Sequence, residues 1–232
     1  MNLHQMHTGP LAVNTYLVPV SENGVIIVDS ANCAFSCDED SLLHYLKSKK
    51  LNPVAIVLTH GHFDHVAGLC SLKKAFPDIP IAIHEADSNM IGTNSADLQG
   101  RALSQMGFLD FLPFVSELPE ATVFLEDKKN LAEIFAKFDF PEEIKKSLND
   151  WKIIHTPGHT EGSICLYNES SLTLISGDTL FYHSWGRTDL ISGDEYKIHK
   201  SLSKIIELCD ENTRVFPGHD YTGFTLMENF LN

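Results

Sequence analysis

The sequence has neither a long apolar run nor a secretion signal. No window in its 232 residues approaches the roughly 20 consecutive apolar residues that a membrane-spanning helix needs. The N-terminus, MNLHQM, lacks the basic start and the apolar segment of a signal peptide. From these absences we expect a cytoplasmic protein that has no membrane partner.

Basic residues are also scarce. The chain has 17 Lys and Arg against 31 Asp and Glu, which gives a formal net charge of −14. A surface of this sign repels nucleic-acid phosphates and anionic lipid headgroups. We therefore expect no nucleic-acid partner, and we expect a small molecule as substrate.

Cysteines are few and unpaired. The chain has five, an odd number, and Cys33 and Cys37 have no second Cys/His pair of matching spacing. This pattern excludes a disulfide framework and a zinc site built on cysteines, so we interpret the cysteines as free thiols. Cys165 lies between Ile164 and Leu166 and is predicted to be a core residue.

Histidines, by contrast, are clustered. The segment THGHFDH at 59–65 directly follows an apolar, strand-like run at 54–58. Imidazole and carboxylate groups are the ligands expected for zinc, iron or manganese. A solvated histidine-rich loop is the alternative, but such loops do not usually concentrate these side chains. The cluster therefore predicts a metal site at the end of a strand.

Three later segments share the same plan, a short apolar run, a tight turn, and one metal-ligating side chain preceded by glycine. They are TPGHT at 156–160, SGDT at 176–179 and PGHD at 217–220. Glycine lets the backbone approach a metal closely, because it has no Cβ. Four strand ends of one design indicate a single site gathered from distant segments.

The chain resembles the metallo-β-lactamase-fold superfamily, and within it the glyoxalase II-like hydrolases. The resemblance is carried, in the family's order, by THGHFDH at 59–65, HTPGHTEGS at 155–163, SGDTLF at 176–181, GRTD at 186–189 and PGHDYT at 217–222. It implies an α/β fold, a four-layered αββα sandwich with the metal site at one edge of its two sheets.

The resemblance also implies a ligand set for two divalent ions. The first ion would be held by His60, His62 and His159, and the second by Asp64, His65 and His219. Asp178 would bridge them, and Asp64 and Asp178 would be the catalytic carboxylates. Zinc is the metal we expect first, although the same ligands accept iron or manganese.

Such a pair of ions has a chemical use. Two divalent cations about 3.5–4 Å apart can share a bridging water and lower its pKa, which gives hydroxide near neutral pH. The hydroxide attacks a carbonyl, and one ion stabilises the oxyanion. A thiolate leaving group needs no strong general acid. We therefore expect a hydrolase that acts on a small thioester or ester.

Periodicity predicts the elements around these motifs. Strands are expected at 14–20, 25–28 and 79–83, with a turn at 21–24. Helices are expected at 38–49, 65–76 and 195–209, the last with Ile198, Leu202, Ile205 and Leu208 on its buried face. We treat residues 1–232 as one domain.

The segment at about 93–150 carries no family motif and is interpreted as a variable helical insertion. Its apolar stretch at 103–115 is expected to pack on the sheet edge. The alternatives are a lid over the metal site or a homodimer contact. Residues 131–148 have a helical pattern that is broken at Pro141.

The sequence allows two interpretations of the role of several polar and aromatic residues. Asp29 either orients a ligand histidine or only forms a turn. Arg187 and Asp189 are expected to form an internal ion pair near the site rather than to contact substrate. Tyr182 and Trp185 are candidates for a pocket wall or for ordinary core packing.

Two alternatives to the hydrolase remain open. The persulfide dioxygenases resemble this chain in GRTD and in His219-Asp220-Tyr221, and they hold one iron at positions matching His60, His159 and Asp178. A non-catalytic metal-binding module is the other.

In glyoxalase II enzymes a helical domain that binds glutathione follows the last motif, whereas only ten residues follow Thr222 here. We therefore do not expect the usual grip on glutathione.

Overall fold

Two β-sheets organise the protein, which we describe from a computed structural model covering residues 3–230. The first sheet has six strands in the order of the chain, β1 to β6. They are β1 (His4–Thr8), β2 (Val13–Pro19), β3 (Gly24–Val28), β4 (Asn52–Val57), β5 (Ile81–His84) and β6 (Val123–Leu125). The first three strands pair antiparallel, and β3 to β6 pair parallel.

The second half of the chain contains the remaining strands, β7 (Lys152–His155), β8 (Ile164–Asn168), β9 (Thr173–Gly177), β10 (Leu180–Phe181), β11 (Ser184–Trp185), β12 (Arg214–Pro217) and β13 (Phe224–Thr225). Five of them form the second sheet in the order β13-β12-β9-β8-β7, and β10 and β11 form a small hairpin. The pair β12–β9 is parallel, and the other neighbours in this sheet are antiparallel.

Helices cover the outer faces and the connections. The α-helices are α1 (Ser41–Lys49), α2 (Phe63–Val66), α3 (Leu69–Ala75), α4 (Ser95–Gln105), α5 (Leu131–Ile134), α6 (Glu142–Asn149), α7 (Glu195–Leu208) and α8 (Leu226–Phe230). Short 3-10 helices lie at Ala34–Ser36, Glu85–Met90 and Leu109–Phe114. Within residues 3–230, no helix is both long and apolar enough to cross a bilayer.

The alternation of side chains along the strands creates the four layers. In β3, Ile26 and Val28 pack with Leu166 and Ile175 of the second sheet, so these side chains fill the space between the sheets. Val25 and Ile27 point the other way and pack against helices that include α1. In β8 the side chain of Cys165 packs instead with Leu202 and Ile205 of α7. The predicted αββα sandwich is confirmed.

Most predicted elements near the site are confirmed, but the helix expected at 65–76 is divided into α2 and α3. The carbonyl of His65, which a continuous helix would use internally, accepts a hydrogen bond from the amide of Ser30 at 2.9 Å. The amide of Gly68 donates to the carbonyl of Ser30 at 2.8 Å. A loop after β3 therefore competes with the helix for its backbone partners.

The structure also revises the segment at 93–150. Its apolar stretch packs as expected, with Leu103, Phe111 and Val115 buried in the cluster that covers the first sheet. The segment is not wholly helical, however, because it contributes β6 to the sheet edge. Farther along, α7 follows the predicted bounds, but Leu208 is 54% exposed rather than buried.

Gly100, inside α4, is expected to be a position where alanine increases stability. A Cβ there would make only ordinary contacts with the side chain of Leu112, the nearest at 3.6 Å. Alanine loses less backbone entropy than glycine, so Gly100→Ala should raise the free energy of unfolding by about 0.5–1 kcal/mol. Urea denaturation would measure this, and a decrease in stability would show that α4 does not tolerate a methyl group here.

Two histidines stack where the sheets meet. His84 ends β5 in the first sheet and His155 ends β7 in the second, and their rings are parallel within 6° with centroids 4.1 Å apart. Burial, together with the neighbouring His155, lowers the pKa of His84 to about 4. Protonation of His84 therefore opposes this contact between the sheets.

Acid should destabilise the protein partly through this stack. The unfolded chain binds a proton at His84 near pH 6.5, whereas the folded chain does so only near pH 4. The contribution of neutral His84 to the free energy of unfolding is therefore complete above about pH 6.5 and is lost as the pH drops towards 4. His84→Asn keeps an acceptor for the amide of Ala86 and should make this fall shallower.

Unfolding free energies at pH 7, 6 and 5 would test this expectation. The matched control is His44→Asn, because His44 is exposed on α1 and should leave the pH slope unchanged. An equal slope in His84→Asn and wild type would contradict the expectation.

Candidate metal centre

Seven predicted residues meet at one edge of the sandwich. His60 and His62 follow β4, and Asp64 and His65 lie on α2 just after them. The other three follow strands of the second sheet, His159 after β7, Asp178 after β9 and His219 after β12. The strand ends therefore bring together side chains that are up to 159 positions apart in the chain.

The side chains form overlapping groups. One consists of His60, His62 and His159, and another of Asp64, His65 and His219, and within each group the ligand atoms lie within 4.8 Å of one another. A third group joins His60 and His65 to Asp178. The first two groups are the two ligand sets that the resemblance implied.

Asp178 lies between the two groups. Its Oδ2 is 3.6 Å from Nε2 of His159 and 3.5 Å from Nε2 of His219, and its Oδ1 is 3.4 Å from Nε2 of His65. One carboxylate therefore reaches both sets of ligands. This is the position that a bridging ligand requires.

Hydrogen bonds to oxygen acceptors orient the imidazoles. Nδ1 of His65 donates to Oδ2 of Asp29 at 2.8 Å. Nδ1 of His159 donates to the carbonyl of Arg187 at 2.8 Å, and Nδ1 of His219 donates to the carbonyl of Leu11 at 3.1 Å. When Nδ1 carries the proton, Nε2 presents its lone pair to the centre, as a metal ligand must.

The donor set fits divalent cations. Nε2 of His60 and Oδ1 of Asp178 are buried, and neither has a hydrogen-bond partner in the described part of the protein. Buried polar atoms are rarely left without a partner. Two such atoms within a cluster of histidines and carboxylates are well explained if they coordinate metal.

The electrostatics keep two of the histidines neutral and two of the carboxylates ionised. Burial lowers the pKa of His62 to about 3, and it lowers the pKa of His60 well below its usual value. Burial by itself would raise the pKa values of Asp64 and Asp178, but His65 and His219 together, with His159 beside Asp178, outweigh it and both pKa values are lowered. Both carboxylates are therefore anionic at neutral pH.

His65 has the opposite environment. Its burial favours the neutral ring, yet the carboxylates of Asp178, Asp64 and Asp29 together raise its pKa. The potential at this point is therefore strongly negative. A divalent cation close to Nε2 would satisfy that potential in place of a proton.

Asp29 does more than form a turn. Its backbone has φ 55°, and its Oδ1 accepts the amide of Thr59 at 2.8 Å. Its Oδ2 accepts both Nδ1 of His65 and the hydroxyl of Thr59, each at 2.8 Å. Asp29 therefore orients His65, as predicted, and the part of the prediction that makes His65 a metal ligand stays a prediction.

Asp87, which carries no motif in the sequence, links the two segments that contain His60, His62 and His159. Its side chain is fully buried, and its Oδ2 accepts the amide of Gly61 at 2.9 Å and the hydroxyl of Thr160 at 2.7 Å. Its Oδ1 accepts the amide of Gly162 at 2.8 Å. Backbone amides leave no mark on a sequence, so spacing alone could not reveal this role.

Gly218 shows why glycine precedes His219. A Cβ at this position would collide with Oδ1 of Asp178 and would come within 2.7 Å of Cε1 of His65. The backbone of β12 thus passes directly over the two side chains. Any larger residue would displace them.

A cavity of about 300 Å³ opens beside the centre. Its polar floor consists of side chains of the candidate centre, and the exposed residues Arg187 and Asp220 place charged groups at its mouth. Apolar side chains form the remaining wall, namely Leu11, Phe63, Met106, Phe181 and Leu190. The shape suits a small molecule whose reactive group reaches the histidines.

The remaining sequence interpretations have mixed outcomes. Arg187 and Asp189 form the predicted ion pair, with nitrogen–oxygen distances of 2.7 and 2.8 Å, but both side chains are exposed, so the expectation that the pair is internal is wrong. Tyr182 and Trp185 are 44% and 46% exposed and do not line the cavity. They are therefore neither part of the pocket wall nor core residues, and both interpretations of them are wrong. The cysteines of residues 3–230 are free thiols, and Cys165 is buried as predicted.

Comparisons with known proteins agree with this geometry. The family model described as the metallo-beta-lactamase superfamily matches residues 8–219. A relative from Bacillus subtilis, named probable metallo-hydrolase YqgX, is 28% identical over 219 residues, which cover 94% of this chain and 90% of the relative.

Two solved structures are similar over nearly their whole length. BLEG-1, named a B3 metallo-beta-lactamase, has a TM-score of 0.80 and 27% identity and covers 100% of this chain and 97% of its own. TTHA1623, solved in a di-iron-bound form, has a TM-score of 0.73 and 28% identity, with coverages of 97% and 96%. By its fold, its gathered side chains and the extent of the family match, the chain belongs to the metallo-beta-lactamase superfamily.

Proposed function

We propose that this protein is a hydrolase that holds two divalent cations and cleaves a small thioester or ester. The observation that carries the proposal is the place of Asp178 between two groups of ligands. His60, His62 and His159 would hold one cation, and Asp64, His65 and His219 the other, with Asp178 shared. Zinc is proposed first, and iron is the alternative that the di-iron form of TTHA1623 supports.

Two cations at this place would supply Lewis acidity, to polarise a carbonyl and to activate water near neutral pH. The protein supplies the rest. The carbonyls of Arg187 and Leu11 and the carboxylate of Asp29 keep the imidazoles oriented. The apolar wall excludes bulk water from the acyl group and holds its carbonyl over the polar floor.

The lining of the cavity also bears on the leaving group. Among the described residues that line it, none is a lysine or a tyrosine that would act as a general acid. A thiol has a pKa of about 8.5, so a thiolate departs near neutral pH without prior protonation. This favours a thioester over an amide as substrate.

The dioxygenase alternative uses fewer of these residues. A single iron held by His60, His159 and Asp178 would leave the group of Asp64, His65 and His219 without a cation. Those three nevertheless lie within 4.8 Å of one another, and two of them are fully oriented by second hydrogen bonds. The name of the Bacillus subtilis relative, a probable metallo-hydrolase, supports the same choice.

Thiol release from a simple thioester tests the proposal. Protein loaded with zinc, and separately with iron, is expected to release thiol from S-butyryl-N-acetylcysteamine. Removal of the metal by a chelator should abolish the release, and return of the metal should restore it. Oxygen uptake with glutathione persulfide, without thioester cleavage, would favour the dioxygenase, and cleavage of a β-lactam alone would favour a lactamase.

A further inference from the structure

We infer that the cavity selects a short apolar acyl group on an uncharged carrier, in preference to an anionic glutathione conjugate. This inference rests on the proposed hydrolase activity and names the substrate class of the same site. It is carried by the size of the cavity, by the side chains of its wall and by the pairing of the charges at its mouth.

Size and wall composition limit the acyl group. A volume of about 300 Å³ lies at the lower end of the range for small-molecule sites, roughly 300–1,000 Å³. Phe63 and Leu190 are buried, at 1% and 7% exposure, so this part of the wall is shielded from bulk water. Leu11, 40% exposed, and Met106, directly after α4, extend the apolar surface towards the mouth.

The charges at the mouth disfavour an anionic carrier. Arg187 is the sole arginine or lysine among the described residues that line the cavity. Both its Nε and one terminal nitrogen already donate to the two carboxylate oxygens of Asp189. The second carboxylate at the mouth, Asp220, has the wrong sign for a carboxylate ligand. Recognition of carboxylates usually takes a free arginine fork, which this cavity does not present.

The reaction balances with water as the only co-reactant. The carbonyl–sulfur bond breaks, and a bond forms between the carbonyl carbon and the oxygen of water. One proton of the water goes to the departing thiolate and the other leaves with the acid, so the products are a carboxylate, a thiol and a proton. No oxidant or reductant is consumed.

A series of thioesters with acyl groups of increasing length tests the proposed substrate selectivity. On zinc-loaded protein, kcat/KM should rise from S-acetyl- to S-butyryl-N-acetylcysteamine by about fourfold for each added methylene group. S-lactoylglutathione, which carries two carboxylates on its carrier, should be cleaved at least tenfold less efficiently than the butyryl compound. A higher kcat/KM for S-lactoylglutathione would overturn the inference.

Two variants test separately how the apolar wall and the charges at the mouth contribute to substrate preference. Met106→Ala shortens the apolar wall and should reduce the increase in kcat/KM for each added methylene group. The matched control Met227→Ala, on the exposed face of α8, should leave this increase unchanged. Asp189→Asn releases the guanidinium of Arg187 and should raise kcat/KM for S-lactoylglutathione several-fold relative to the butyryl compound. If neither variant changes the preference between these substrates, the inference is wrong.

The outcomes also distinguish this inference from the proposed function. Cleavage of both thioesters with a preference for the anionic one refutes the selection and leaves the hydrolase intact. If metal-loaded protein cleaves neither thioester, the proposed function itself fails.

Discussion

Replacing Asp178 with alanine is expected to lower the turnover of the metal-loaded protein by about 1,000-fold or more, which corresponds to about 4 kcal/mol of transition-state stabilisation. The reason is its position, because Oδ1 and Oδ2 lie within 3.6 Å of ligand nitrogens from both groups. Without this carboxylate the two groups share no ligand. Cation stoichiometry should fall from about two per chain to about one.

The measurement combines kcat for a thioester with elemental analysis of the same sample. Asp150→Ala is the matched control, since Asp150 is exposed directly after α6 and is neither in the ligand groups nor in the cavity lining. It should retain wild-type turnover and stoichiometry. If Asp178→Ala kept full activity together with two cations, the shared ligand would have no function and the two-cation mechanism would be wrong.

Asp87→Asn is expected to weaken cation binding by about 10–100-fold, a typical effect of removing a group that orients metal ligands. Asp87 receives three hydrogen bonds, from the amides of Gly61 and Gly162 and from the hydroxyl of Thr160. An asparagine offers one oxygen and directs its NH₂ at a donor. The segments that carry His60, His62 and His159 would therefore lose their common anchor.

Competition with a chromophoric chelator would measure the affinity for zinc, and the absorption spectrum of the cobalt-substituted protein would report the ligand geometry. The control Asp97→Asn removes an exposed carboxylate on α4 and should change neither. A folded Asp87→Asn protein with wild-type affinity and spectrum would reduce Asp87 to a purely structural residue.

The residues that gather at the candidate centre could be predicted because each is encoded locally. A short apolar strand, a glycine turn and one histidine or aspartate are readable together in a few residues, as at Gly218 and His219. The αββα order follows from the same strands. Asp29 was visible as a polar residue at a strand end, although only the structure shows that it receives Nδ1 of His65.

What could not be predicted depends on distant partners. Asp87 acts on amides 26 and 75 positions away, and backbone amides have no residue-specific signature. The interruption between α2 and α3 depends on Ser30, a residue after β3 that is 35 positions from His65 in the chain and contacts it only through the fold. The strand β6 has three residues and derives its conformation from pairing with β5, so its own pattern is too short to indicate it.

The central claim is that the protein holds two cations, and metal content per chain tests it most directly. Protein purified without chelators under anaerobic conditions should contain about two divalent ions per chain, by elemental analysis against amino-acid quantification. The second ion should be lost in Asp178→Ala. A saturated wild-type protein that binds only one ion per chain would contradict the account.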